Sequence, residues 1–269
     1  MKIVIFSLAG LALIFLLSWF YSSRLQRATV ERQRIASELS IASKIQEDIL
    51  PRKFPDYLTA RLRPAREVGG DLYDFVEAGD KVYFIVGDAS GKGVPAALFS
   101  FMAETAFRLS CTMGLKPDAI VRNINSILVN GNDMSMFVTT FVGLLDRKTG
   151  AFEYCNGGHN SPVVVDKDGK VEFLAVKRNL PCGVMEDYPF SLQSARLPAG
   201  STLIVYTDGV TEAERADHSQ FGEGRLDDFA LAHAAEEPSV IAHELFAEVD
   251  RFVAGAEQSD DITVMAIRV

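Results

Sequence analysis

Four short acidic motifs lie beside apolar segments that have the character of β-strands, and this arrangement restricts the folds open to the chain. The motifs, each interpreted as lying at a strand end, are Gly69-Gly70-Asp71, Gly87-Asp88-Ala89-Ser90-Gly91-Lys92-Gly93, Thr207-Asp208-Gly209 and Asp260-Asp261. Aspartates at strand ends can converge in one cleft, where their carboxylates repel each other unless cations lie between them. The sequence therefore predicts a metal site assembled from several strands.

Length and charge limit the class of protein. The 269 residues allow one medium-sized domain with an N-terminal extension. The formal net charge of -9 argues against a nonspecific nucleic-acid binder, because phosphate backbones attract surplus lysine and arginine. Three cysteines lack CxxC spacing and a histidine ligand pattern, so we interpret them as small buried residues in a reducing compartment. They are Cys111, Cys155 and Cys182.

The N-terminal segment differs from the rest of the chain. Residues 3–20 carry no charge, and these 18 residues are just enough to cross a hydrocarbon core, with Trp19 and Tyr21 suited to the interface. A cleaved signal peptide is the competing interpretation, but its apolar region is usually shorter and ends in a small-x-small site. Four arginines follow within residues 24–34. The positive-inside rule therefore predicts an uncleaved, single-pass anchor in the inner membrane, with the remainder in the cytoplasm.

Residues 24–50 contain no proline or glycine and have the pattern of an exposed helix. A short heptad seam is formed by Ile35, Leu39, Ala42, Gln46 and Ile49. Two interpretations stay open, a parallel homodimer through this helix and a helix that packs on its own domain. The predicted organisation is a transmembrane anchor at 1–22, a helical linker at 23–52 and a folded domain at 53–269.

The folded domain is predicted to consist mostly of strands, with helices inserted in pairs. The predicted strands are 58–63, 71–76, 81–86, 136–145, 152–155, 162–165, 171–174, 190–195, 202–206 and 262–269. The predicted helices are 94–111, 117–129, 224–235 and 239–253. Many strands in antiparallel style with paired helices argue for an α+β sandwich rather than a βαβ array.

The motif around Asp88 must turn sharply into a helix, which exposes backbone groups near the carboxylate. A P-loop is excluded because Lys92 is followed by Gly93 and no hydroxyl residue takes the magnesium-ligand position. Asp74 lies three residues after Asp71, so strand alternation places it on the opposite face, in a supporting position.

Aspartates without a cysteine or histidine cluster select Mg²⁺ or Mn²⁺ rather than zinc. Two such ions roughly 4 Å apart can activate a water and clamp a phosphoryl group. Phosphate monoesters hydrolyse so slowly unaided that they need strong electrostatic assistance. We therefore expect metal-dependent phosphate-ester hydrolysis, and the acidic charge disfavours a metal nuclease.

Further short segments accompany the acidic motifs in order along residues 41–269. They include Ala42-x-x-Ile45-Gln46, Pro64-Ala65-x-x-Val68, Val94-Pro95-Ala96-Ala97-Leu98, Asn156-Gly157-Gly158-His159-Asn160, Phe221-Gly222 and Asp260-Asp261-Ile262-Thr263. Together the segments resemble the SpoIIE/RsbU-type branch of the PPM (protein phosphatase 2C-like) serine/threonine phosphatases.

The resemblance implies a PPM-type αββα sandwich, in which helix pairs flank two antiparallel sheets and a site for two Mn²⁺ or Mg²⁺ ions lies between the sheets. It implies that Asp88 bridges the ions, with the Ala89 carbonyl on one of them. Asp71 would hold one ion, and Asp208 and Asp260 the other. A metal-activated water, and no side chain, is then the expected nucleophile.

Four further residues are candidates for secondary roles. Asp261 is the second choice as a ligand within its doublet, and Asp74 supports the site. His159 is interpreted as a turn-stabilising residue, with an acid role as the alternative. Lys92 or Arg66 could stand in for a phosphate-binding arginine of the eukaryotic branch, which this sequence does not match.

By resemblance, the expected substrate is a phosphoserine or phosphothreonine on a STAS-type anti-sigma-factor antagonist in a partner-switching pathway. The alternative is a catalytically weak scaffold that uses the same fold to bind a regulatory partner. The presence of all four carboxylates counts against the scaffold.

Overall fold

The computed structural model describes the backbone of residues 2–269 and the side chains of residues 15–269. The chain divides into two compact units, Met1–Ile45 and Gln46–Val269. Residues 2–45 of the first unit lie within one long helix, α1, which spans Lys2–Ile49. Its described side chains are mostly exposed.

The predicted anchor is not shown. Among the described residues, no helix combines the length and the apolar character needed to cross a membrane. The predicted span at residues 3–20 falls mainly on residues 1–14, whose side chains lie outside the described part of the chain. The anchor, its orientation and the dimeric seam therefore stay predictions.

The second unit alternates strands and helices much as the pattern predicts. Its helices are α2 (Val94–Thr112), α3 (Pro117–Val129), α4 (Asp208–Thr211), α5 (Gly222–Ala232) and α6 (Pro238–Val253). Its strands are β1 (Leu58–Arg63), β2 (Asp71–Ala78), β3 (Lys81–Ala89), β4 (Val138–Asp146), β5 (Ala151–Gly157), β6 (Val163–Val165), β7 (Val171–Phe173), β8 (Gln193–Arg196), β9 (Thr202–Tyr206) and β10 (Ile262–Arg268).

The strands form two five-stranded sheets. The first sheet has the order β1-β10-β9-β6-β7, and the second has the order β2-β3-β4-β5-β8. Every pair of neighbouring strands is antiparallel. This arrangement confirms the predicted α+β sandwich of two antiparallel sheets with helices.

Three apolar clusters hold the four layers together. One cluster lies between the sheets and includes Phe84 and Phe141 of the second sheet and Val205 of the first. A second packs α2 and α3 on the outer face of the second sheet, and a third packs α5 and α6 on the outer face of the first. Alternation along each central strand sends successive side chains to different clusters, which explains why these strands are apolar on both faces.

The three cysteines are free and buried, as predicted. Burial raises the pKa of each thiol to about 12, which keeps the sulfur protonated and unreactive near neutral pH. They therefore act as small apolar core residues.

Asp74 faces α2, on the side of β2 opposite to Asp71. The guanidinium of Arg108 lies 2.7 Å from the Asp74 carboxylate and 3.4 Å from that of Glu104. Both carboxylates are buried, and they share this one cation. Burial, and then the charge of Asp74, raise the pKa of Glu104 to about 8. Asp74 thus connects strand to helix.

Glu104→Gln is expected to stabilise the protein at pH 9 by at least about 1 kcal/mol and to have little effect at pH 5. Because the pKa of Glu104 is higher in the folded than in the unfolded protein, ionisation of this carboxyl costs stability as the pH rises from about 4.5 to about 8. Thermal unfolding across this pH range measures the difference. The exposed Glu186→Gln is the control, and a pH-independent effect of Glu104→Gln would contradict the prediction.

Candidate active site

The four predicted metal ligands come from both sheets. Asp71 opens β2 and is the direct register partner of Asp88, which lies one residue before the end of β3. Asp208 follows β9 and begins α4, and Asp260 lies two residues before β10. The aspartates therefore approach one end of the sandwich from both sheets.

Asp71, in the second sheet, is held by two threonines from the acidic motifs of the first sheet. Its Oδ2 accepts hydrogen bonds from Thr207 Oγ1 at 2.8 Å and from Thr263 Oγ1 at 2.6 Å. All three residues are buried, and the backbone N–H of Thr263 also donates to Thr207 Oγ1. Burial, and then the charge of Asp88, raise the pKa of Asp71 well above its ordinary value, while the two hydroxyls oppose the rise. These contacts link the sheets directly at the site.

Asp88 is the electrostatic centre of the cluster. Burial, and then the charges of Asp208 and two further aspartates, Asp260 and Asp261, raise the pKa of its carboxyl to about 8. A carboxyl with this environment is costly to ionise without a compensating cation. The charge pattern is therefore the one expected where a cation binds.

Asp208 and Asp260 form the more open side of the cluster. Burial, and then the charges of Glu212 and Asp260, raise the pKa of Asp208. Lys92 Nζ lies 3.2 Å from the Asp260 carboxylate and donates to the Ser259 carbonyl. Lys92 thus partly neutralises this side of the cluster and lies in contact with one of the predicted ligands.

Asp261 differs from its neighbour in the doublet. Its Oδ1 accepts from the backbone N–H of Ala65 at 2.7 Å, and its Oδ2 accepts from that of Gly70 at 2.5 Å and, at 3.4 Å, from that of Asp71. It is buried, whereas the side chain of Asp260 is 41% exposed. Asp261 therefore organises the backbone before β2. Asp260 contacts Lys92 and accepts from the Asp261 N–H, and it is the more accessible member of the doublet.

Close backbone approach explains two of the glycines. A Cβ on Gly209 would lie 1.9 Å from the Asp261 carbonyl oxygen, and a Cβ on Gly70 would lie 2.8 Å from the Ala89 carbonyl oxygen. A side chain at either position would push the motifs apart. The Ala89 carbonyl is thus held beside the segment that leads into Asp71.

Two side chains outside the acidic motifs anchor the segment before β2. Gln46 Nε2 donates to the Gly69 carbonyl at 2.9 Å, and Gln46 Oε1 accepts from the Gly69 N–H at 3.1 Å. Ser100 Oγ of α2 donates to the Gly70 carbonyl, which also accepts from the Ala89 N–H. The heptad pattern places Gln46 on the seam, but its amide is used within the second unit.

His159 is buried behind the site. Its Nδ1 shares a 2.9 Å hydrogen bond with Thr139 Oγ1, and Thr139 is the register partner of Asp88. Burial lowers the pKa of the imidazole to about 4, so it is neutral near pH 7. Asn156 bonds both the N–H and the carbonyl of His159, as the turn interpretation predicts. A neutral, buried imidazole is poorly suited to donate a proton to substrate.

The donor chemistry fits a hard divalent cation. Within the part of the chain whose side chains are described, no three His, Cys, Asp or Glu side chains are arranged, as they stand, to hold a metal ion. The aspartates nevertheless offer the oxygen ligands that Mg²⁺ and Mn²⁺ prefer, and a bound cation would relieve the repulsion centred on Asp88. The assignment of individual ligands stays a prediction.

Some residues of the site do not follow from the acidic pattern alone. Thr207 and Thr263 lie within the motifs Thr207-Asp208-Gly209 and Asp260-Asp261-Ile262-Thr263. Their closeness in sequence to these aspartates is the signal that could identify them as site residues. Gln46 and Ser100 carry no local signal, because only the tertiary fold brings them to the glycine segment.

The chain matches known proteins across most of its second unit. The family model described as Stage II sporulation protein E (SpoIIE) matches residues 78–269. Phosphoserine phosphatase RsbU of Bacillus subtilis is 29% identical, covering 67% of this chain and 55% of RsbU. Protein IcfG of Synechocystis is also 29% identical, covering 86% of this chain and 41% of IcfG. The chain thus spans about two fifths to just over half the length of these relatives.

A solved structure has the same fold. The SiaA-PP2C domain of Pseudomonas aeruginosa superimposes with a TM-score of 0.79 at 23% identity, covering 88% of this chain and 98% of that domain. The match to the family model extends over more than half of the chain and includes the motifs of Asp88, Asp208 and Asp260. The chain therefore belongs to the SpoIIE family, within the SpoIIE/RsbU-type branch of the PPM phosphatases.

Proposed function

We propose that the chain is a metal-dependent protein serine/threonine phosphatase. The observation that carries the proposal is the convergence of aspartates from both sheets on Asp88. Burial, and then the charges of these aspartates, raise the pKa of Asp88 to about 8. The name of RsbU, phosphoserine phosphatase, supports the same reaction class. The charge cluster and the family point to one chemistry, hydrolysis of a phosphate ester.

The cluster divides its tasks among its residues. We propose that the site holds two ions, Mn²⁺ or Mg²⁺. Their oxygen ligands would be the carboxylates of Asp71, Asp88, Asp208 and Asp260 and the Ala89 carbonyl. The bound ions would supply a water made more acidic and a positive field for the phosphoryl oxygens. Thr207 and Thr263 orient Asp71 by hydrogen bonds, and no side chain is assigned as nucleophile.

The proposed substrate is a phosphoserine or phosphothreonine on a STAS-type anti-sigma-factor antagonist. The support is the resemblance to the SpoIIE/RsbU-type branch, which implies such a substrate in a partner-switching pathway, together with the name of RsbU, phosphoserine phosphatase.

The full chain tests the proposal. Purified protein is expected to release phosphate from a phosphoserine peptide with Mn²⁺ and to lose this activity when EDTA removes the metal. Turnover that survives metal removal would overturn the mechanism. If the protein neither binds Mn²⁺ at millimolar concentration nor releases phosphate, the fold serves as a scaffold.

We also propose that the N-terminal segment anchors the chain in the inner membrane, with the catalytic unit in the cytoplasm, and that residues 24–50 form a homodimer. The uncharged residues 3–20, the arginines that follow and the heptad pattern support this arrangement. Membrane fractions washed with high salt should retain the chain. Leu39→Asp should lower the molecular mass measured by sedimentation, because it breaks the dimer. Release of the chain into the wash would contradict the anchor, and an unchanged mass would contradict the seam.

A further inference from the structure

A cleft of about 370 Å³ lies directly beside the aspartate cluster. It lies between the C-terminal part of α6, residues 255–260 and the start of α4. Its apolar wall is formed by Ala213, Val249, Val253, Ala256 and Ile262. Val249 and Ile262 are almost fully buried and fix the base of the cleft, whereas Val253 and Ala256 are half-buried and present the apolar surface that a ligand can reach.

The charged groups that line the cleft are mostly paired with one another or with neighbours. Arg63 lies 2.8 Å from the Asp250 carboxylate and donates to Gln258 Oε1 at 2.8 Å. Glu214 is in contact with the exposed His218, and Lys92 lies beside Asp260. These contacts account for Arg63, Glu214 and Asp260, and the further charged lining residue Glu257 is exposed to solvent. The apolar wall is therefore the part of the cleft that gains most from being covered by a ligand.

The cleft is continuous with the candidate active site. Asp260 lines it, and so does Gly209, which directly follows Asp208. An extended peptide advances about 3.3 to 3.6 Å per residue. A peptide whose phosphorylated side chain reaches the aspartates would therefore bring an adjacent residue to the mouth of the cleft.

We propose that this cleft binds an aliphatic side chain of the phosphoprotein substrate, next to the phosphorylated residue, and so selects the substrate sequence. The proposal rests on the proposed phosphatase function and names its specificity site. The volume suffices, since a dry apolar cavity of about 150 Å³ already holds a benzene molecule. Fit to such a pocket typically changes kcat/KM by about 10- to 200-fold per methylene group.

The test uses the full chain with Mn²⁺ and phosphoserine peptides that differ only next to the phosphoserine. Leucine, alanine, lysine or aspartate is placed on each side in turn, and kcat/KM is measured. On one side the leucine peptide is expected to exceed the alanine and lysine peptides about tenfold. Equal rates on both sides, or a preference for lysine, would overturn the proposal.

A cleft-filling variant locates the preference. Ala256→Leu is expected to reduce the tenfold leucine-to-alanine ratio to less than about twofold, whereas Ala199→Leu, on an exposed turn, is expected to keep it. An unchanged leucine-to-alanine ratio in Ala256→Leu would contradict the assignment of the preference to this cleft. If Ala256→Leu does not fold, Val253→Ala replaces it, and the widened cleft is expected to favour phenylalanine over leucine.

Para-nitrophenyl phosphate separates the two proposals. It carries a phosphate ester but no flanking side chain, so its hydrolysis reports on the aspartate cluster alone. If wild-type protein hydrolyses neither this compound nor any peptide, the proposed function fails. Hydrolysis of the compound with no side-chain preference among the peptides overturns the cleft assignment only.

Discussion

Asp88→Asn is expected to lower phosphatase turnover about 100- to 1,000-fold and, in the same protein, to stabilise the metal-free fold. Activity falls because the substitution removes the carboxylate at the electrostatic centre of the cluster. Stability rises because burial and the charges of Asp208 and Asp260 make ionisation of Asp88 costly. Function and stability thus change in opposite directions at one residue.

The stabilisation has a defined pH dependence. The pKa of Asp88 rises from 3.8 to about 8 in the folded protein, so the metal-free wild type loses stability as the pH rises between these values. Asp88→Asn lacks this loss. We expect equal stabilities near pH 3.5 and an advantage of about 2 kcal/mol for the variant at pH 8.5.

Thermal unfolding in EDTA and then with Mn²⁺ measures both effects. Mn²⁺ is expected to raise the melting temperature of the wild type more than that of Asp88→Asn, because ligands stabilise the state that binds them. Asp133→Asn, at an exposed loop position, should behave as wild type. A metal-free Asp88→Asn protein no more stable than wild type at pH 8.5 would refute the electrostatic argument.

The strand pattern could be predicted because each central strand is apolar on both faces, a strong local signal. The boundaries were less predictable. β3 continues through Asp88 to Ala89 rather than ending at Val86, because pairing with β2 and β4 extends to that point. The four-residue helix α4 was missed, since a single turn after Asp208 has no periodicity to detect.

The site was predictable to the extent that charge alone marks it. Aspartates at strand ends signal that something must compensate them, so the cluster could be anticipated. The hydrogen-bond partners of the ligands could not be predicted in this way. The sequence does not show whether a threonine hydroxyl faces solvent or, as Thr263 does, donates to an aspartate 192 positions away in the chain. The residues that orient the ligands emerge only from the packing of one sheet on the other.

Substitutions of the two neighbouring aspartates Asp260 and Asp261 are expected to have opposite effects on stability and on metal binding. Asp261→Asn is expected to destabilise the protein by about 2 to 4 kcal/mol, because both carboxylate oxygens accept hydrogen bonds from backbone N–H groups, those of Ala65 and Gly70, and the amide nitrogen of asparagine cannot accept. This loss is expected to outweigh the relief of repulsion with Asp88. For a unit of this size, the melting temperature should fall by roughly 4 to 16 °C. Calorimetry in EDTA isolates this effect from metal binding.

Asp260→Asn is expected to show the reverse pattern. Its side chain is 41% exposed and contacts Lys92, so the melting temperature should change little, as is typical of exposed ion pairs. Mn²⁺ affinity and turnover are expected to fall on the order of 100-fold, because the substitution removes a charged oxygen ligand from the open side of the cluster. Calorimetric Mn²⁺ titration and peptide turnover measure these losses. Each variant is the control for the other, and an exchange of the two patterns would make Asp261 the metal ligand and Asp260 the structural residue.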